Sequence, residues 1–111
     1  MSFQATQNKG FQMKFNNGFS ISVQWGNMNY CERRNWSADY KSEMKEDYIK
    51  SENSEIAVFD TKGSMMSVGE NDAVIGWLSA DEVAKIIEIV SNADDKEGIV
   101  KRIKLNLINK E

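Results

Sequence analysis

Apolar and polar residues alternate most clearly near the start of the chain. Phe11, Met13 and Phe15 alternate with Gln12 and Lys14, and Phe19, Ile21, Val23 and Trp25 alternate with Ser20, Ser22 and Gln24. Asn16-Asn17-Gly18 separates the two runs. Alternation on both sides of Asn-Gly predicts a β-hairpin, because Asn and Gly tolerate the positive φ angles of a tight turn. All seven large apolar side chains fall on one face of this hairpin, so that face must pack against another element.

The alternation stops at Gly26, and residues 26–36 read as a turn or irregular loop. Residues 37–53 are highly charged. Tyr40, Met44 and Tyr48 fall at i, i+4 and i+8, which fits a short amphipathic helix, and a loop fits equally well. Residues 54–77 read as a meander with strands at Ile56–Phe59, Met65–Val68 and Ala73–Trp77, and with turns at Asp60–Gly63 and Gly69–Asp72. Ser79-Ala80-Asp81-Glu82 is a capping box, followed by the apolar stripe Val83, Ile86, Ile87 and Val90 of a helix ending near Ser91-Asn92. The tail is ambiguous. Ile103, Leu105 and Leu107 alternate as in a strand, while Ile99, Ile103 and Leu107 have helical spacing; the alternation favours a strand or a partner-contacting segment.

Together these elements predict the α+β class: an antiparallel sheet made of an N-terminal hairpin and a three-stranded meander, packed against one C-terminal amphipathic helix. Residues 1–10 read as a polar, flexible terminus, and residues 11–111 as a single domain.

Composition narrows the chemistry. Of 111 residues, 41% are hydrophobic and 28% charged, as in ordinary globular domains. No apolar run reaches the ~20 residues of a membrane span, and the polar N-terminus lacks the order of a signal peptide. The single cysteine, Cys31, excludes an intrachain disulfide and suggests a cytosolic setting. Histidine is absent, which removes the commonest general base, the Ser-His and Cys-His nucleophile pairs and most zinc sites. The net charge of -3 divides unevenly, with +3 over residues 1–36 and -6 over the rest. The basic part is too sparse for duplex nucleic acid but suits a small anion.

The leading candidate site is the stretch leaving the hairpin, with Trp25, Tyr30, Arg33, Arg34 and Trp36. Aromatic faces stack a base, and guanidinium groups grip phosphate. The alternative is that Trp25 and Tyr30 belong to the core, the arginines are surface charges and Trp36 covers a sheet edge. Cys31 reads as a buried cysteine rather than a nucleophile. Asp60, Glu70 and Asp72 match no calcium loop and read as turn residues. No phosphate-loop or dinucleotide fingerprint is present among the glycines. An open sheet edge invites pairing, so a homodimer or higher homo-oligomer is expected.

The stretches FQMKFNNGFSISVQWGNMNYCERR, SEIAVFD and VIGWLSADEVAKII resemble small uncharacterised proteins encoded by bacteriophages. In those proteins a Lys-Gly-Phe-Gln-Met start, an Asn-Gly hairpin, a Gln-aromatic-Gly turn and Asn-Tyr-Cys recur, with a Ser-Ala/Pro-Asp-Glu-Val helix near the end. The resemblance covers about residues 9–92. It implies a host bacterial cytosol, where small accessory proteins blunt immunity. The expected function is therefore non-enzymatic sequestration of a small, anionic, nucleotide-derived signal, without metal or cofactor. The alternative is direct inhibition of a host defence protein, in the manner of an anti-CRISPR. An enzyme working without histidine is a third reading.

Overall fold

The computed structural model describes residues 1–6, 9–26, 28–33, 49–69 and 73–107. Its first half is built by the hairpin. Strands β2 (Gly10–Lys14) and β3 (Ser20–Gln24) pair antiparallel, with Phe11 opposite Val23 and Met13 opposite Ile21. The connection closes with Gly18 N–H donating to the Phe15 carbonyl at 3.0 Å and Phe15 N–H to the Phe19 carbonyl at 2.9 Å. Gly18 alone takes the left-handed conformation there, at φ 93°. Asn17 serves the turn through its side chain, whose Oδ1 accepts from Phe19 N–H at 3.1 Å.

The start of the chain departs from the expected flexible terminus. Ser2–Ala5 forms strand β1, antiparallel to β2, with Phe3 opposite Met13 and Ala5 opposite Phe11. Its polar composition is that of an exposed edge strand, which needs no second buried face.

On the other side of β3 lies β4 (Ser54–Phe59), the most buried strand, with Ile21 opposite Val58 and Val23 opposite Ile56. Strands β5 (Met65–Met66) and β6 (Ile75–Leu78) follow, but they do not form a simple meander. Both pair with β4 and lie end to end along its free edge. β5 is shorter than the four residues expected, and the Gly69–Asp72 turn lies mostly outside the described residues. The Asp60 turn is as expected: Asp60 Oδ1 accepts from Lys62 N–H and Ser64 N–H, each at 2.9 Å.

Helix α1 (Ala80–Ser91) lies across β3, β4 and β6. Its capping box is complete, with Ser79 Oγ accepting from Glu82 N–H at 3.2 Å and Glu82 Oε1 accepting from Ser79 N–H at 2.9 Å. Ile86 and Val90 are fully buried; Ile89 is more deeply buried than the expected Ile87. The tail forms a second helix, α2 (Lys96–Asn106), rather than a strand. Asp95 caps it by accepting from Gly98 N–H at 2.8 Å, and Ile99, Ile103 and Leu107 enter the core while Leu105 is exposed. The helical spacing prevails because three apolar side chains face one core, each contributing about 1.5–3 kcal/mol when fully buried.

Among the described residues, the result is an antiparallel six-stranded sheet with two C-terminal helices, one more than expected there, an α+β architecture. Phe15, Phe19, Ile21, Val23, Ile56, Val58, Ile75, Leu78 and the helix stripes form one core. No described helix is long and apolar enough to cross a membrane.

Candidate functional site

A concavity of about 460 Å³ opens where the sheet meets the start of α1. Phe11, Val23, Trp25 and Leu78 form its sheet wall, Ala80 and Val83 its helix wall, and residues 49–54 its third side. The size falls in the range of small-molecule pockets. Its position follows from the chain path. Trp25 is the first residue past β3, and Ser79 starts α1 directly after β6, so the sheet and the helix diverge here.

Trp25 organises the interior. Its indole N–H donates to the Ile49 carbonyl at 2.7 Å, which satisfies its polar atom. Its ring meets Phe11 edge to face, with centroids 6.3 Å apart and planes at 66°. The cavity therefore combines oriented rings with the aliphatic Val23, Ile49, Leu78 and Val83. Lys50 and Glu52 are the charged residues among the described lining, and their signs oppose.

The segment bearing Lys50 and Glu52 is held by the loop that follows the hairpin. Glu32 N–H donates to Asn53 Oδ1 and Glu52 N–H to Glu32 Oε2, each at 2.6 Å. Arg33 Nη1 donates to the Lys50 carbonyl at 3.0 Å. The same loop is tied to β4 through Glu55, which accepts from Asn29 Nδ2 at 3.1 Å and from Tyr30 N–H at 3.0 Å. Loop 28–33 is thus a clamp for the third side of the cavity.

These contacts separate the residues grouped from sequence. Trp25 lines the cavity, whereas Tyr30 and Arg33 do not; Tyr30 is bonded to the sheet through its backbone, and Arg33 supports the lining segment from outside. Arg34 and Trp36 lie outside the described residues, as do Tyr40, Met44 and Tyr48. Sequence reasoning missed Phe11, Val83 and Leu78 as site residues, because apolar periodicity reports only which way a side chain faces. It does not report where the layers separate.

Cys31 is fully buried, with its thiol directed at the Gly26 carbonyl at 3.5 Å. Burial pushes the thiol pKa up, and hydrogen bonding to the Arg33 backbone and the Ser51 side chain offsets only part of this, so the thiol is protonated at neutral pH. Asp60 is committed elsewhere. Its carboxylate holds the β4–β5 turn and pairs with Lys96 Nζ at 3.0 Å. Hydrogen bonding from Ser64 N–H, followed by Lys96, lowers its pKa to about 2.

Trp77 was unforeseen as a special position. It has φ 58°, the sole positive φ of a non-glycine residue among those described, and its ring is 45% exposed. The pairing of β6 with β4 shifts register between Ser54 and Ile56, so Gly76 and Trp77 form a bulge opposite Glu55. Trp77 N–H leaves the ladder and donates to the Tyr30 carbonyl at 2.9 Å, fixing the clamp loop to the sheet edge.

Comparison with models of known protein families, with curated proteins and with solved structures gives no match.

Proposed function

We propose that the domain is a non-enzymatic receptor enclosing the flat, apolar part of a small molecule, with a nucleotide-derived signal as its ligand class. The observation that carries this reading is the cavity at Trp25, where aromatic and aliphatic side chains converge and the indole's polar atom is already satisfied. A base entering it gains ring contact with Trp25 and Phe11, and its phosphate-bearing part faces out past Lys50. Affinity then comes mainly from ring burial, with charge as a minor contribution, since Glu52 opposes Lys50. The resemblance to phage-encoded proteins supplies the biological form of the reading: removal of an immune signal from the host cytosol.

Thermal-shift and calorimetric titration against cyclic nucleotides and ADP-ribose isomers tests it. A saturable shift in wild type that is lost in Val83→Phe supports the reading, because the added ring occupies the cavity. No heat and no shift across the panel count against it.

The second reading, direct inhibition of a host defence protein, is favoured by Tyr30 and Trp77. Both are exposed and joined through their backbones, and such aromatic residues commonly anchor protein interfaces. A stoichiometric host protein retained by wild type but not by Trp77→Ala, with the cavity variant Val83→Phe still binding, favours this reading over the first.

A further inference from the structure

We propose that β1 is a self-complementary edge through which two copies of the chain join their sheets about a two-fold axis at Phe3. Thr6 N–H donates to the Gly10 carbonyl at 2.9 Å, and the register continues with Gln4 opposite Gln12 and Ser2 opposite Lys14. Alternation in an antiparallel ladder therefore turns the backbone groups of Ser2, Gln4 and Thr6 toward β2. Those of Phe3 and Ala5 point outward, and among the described residues no strand pairs with that side of β1.

This edge lacks the usual protection against pairing. Residues 2–6 (Ser-Phe-Gln-Ala-Thr) contain no charge and no proline, and the ladder to β2 runs without a bulge. Phe3 shares the helix-side face with Met13 and Ile21, but α1 covers β3, β4 and β6 and leaves Phe3 78% exposed.

A second copy meets both the hydrogen-bonding and the apolar requirements at once. With Phe3 opposite its counterpart, the two outward N–H and C=O groups of each Phe3 pair reciprocally. Ser2 of each copy then faces Gln4 of the other, so polar residues oppose polar ones. The Phe3 rings come together on the helix side, which makes the apolar face continuous across both sheets. A shift of one residue would oppose Phe3 to Gln4 and destroy this match. No like side-chain charges face each other across the paired strands. The paired strands are short, well below the ~800 Å² per partner of a standard stable interface, so the association is weak and concentration-dependent.

Sedimentation velocity over a concentration series, combined with hydrogen exchange, tests the proposal. Wild type is expected to pass from monomer to dimer as concentration rises, while the Phe3 and Ala5 amides gain protection. Ala5→Pro removes an outward N–H without touching the ladder to β2, and Phe3→Lys places a charge at the axis; both are expected to stay monomeric with an unchanged Tm at low concentration. A wild type that remains monomeric throughout, a dimer that survives Ala5→Pro, or a dimer whose Phe3 and Ala5 amides stay unprotected overturns it. So does capture of a foreign extended peptide on this edge by an otherwise monomeric protein. Ligand binding in the cavity is not required for any of these outcomes.

Discussion

Asn17, in the first hairpin turn, donates from Nδ2 to the Val90 carbonyl at 2.8 Å, near the end of α1. The same amide reaches the Ala93 carbonyl at 3.0 Å. A helix leaves its last carbonyls without intrahelical donors, and no basic side chain lies in the last turn of α1. A turn residue more than seventy positions earlier fills that need and locks the hairpin under the helix.

Removing this amide takes its donor from the part-buried Ala93 carbonyl and leaves the Val90 carbonyl only the longer bond from Ala93 N–H at 3.3 Å, so Asn17→Ala is expected to lower stability by about 1–3 kcal/mol. Asn17→Asp keeps the turn acceptor but loses the donor, and should destabilise at least as much at neutral pH. Urea denaturation checks this, with a lower midpoint and an unchanged slope as the expected result.

Asp60 gives acid sensitivity of a defined sign. Its carboxyl binds a proton less readily in the folded chain, near about 2, than at the ordinary value of 3.8. Its contribution is therefore present above the ordinary value and is lost as pH falls through the folded one. Wild type should lose thermal stability across that window. Asp60→Asn, less stable at neutral pH, should lose less there, because it has no carboxylate to protonate. Scanning calorimetry at several pH values measures both trends.

Trp77 occupies a backbone conformation that costs a bulky residue of order 1–3 kcal/mol. Glycine removes that strain at an entropic cost of about 0.5–1 kcal/mol, and the half-exposed ring contributes little packing. Trp77→Gly should therefore change stability by less than about 1 kcal/mol, whereas deleting a buried tryptophan costs about 3–5 kcal/mol. Trp77→Val, being β-branched, should be clearly worse than glycine. Urea midpoints of the two variants decide this.

Cys31 should resist alkylation in the folded protein and react at the rate of a free peptide thiol once unfolded. Its thiol is buried and its pKa raised, so both access and thiolate fraction are low. Mass-spectrometric labelling with and without denaturant reads the difference. Rapid native labelling would contradict the placement of the clamp loop.

The readily legible elements were those whose local pattern and tertiary role agree. The hairpin alternation and the Ser79–Glu82 capping box each specify an element and the face it buries. The tail misled because Ile103, Leu105 and Leu107 satisfy a strand's period; Ile99 breaks the tie only once the core beside α1 is known. β1 was hidden because an edge strand buries little and so needs no apolar alternation. Of the residues grouped from sequence, Trp25 lines the candidate cavity, and the others described do not. Arg33 is spent on the Lys50 carbonyl, a contact made across the fold rather than along the chain. Trp77 gave no signal, since the glycine beside it is the residue expected to carry a positive φ.

The most direct measurement uses a variant with Trp36→Phe and Trp77→Phe, which leaves Trp25 as the sole tryptophan. Titration with the nucleotide-derived panel should give a saturable change in Trp25 emission with at least one member, abolished by adding Val83→Phe. An emission spectrum unmoved by every member, or a change that persists when the cavity is filled, would contradict a ligand seated against Trp25.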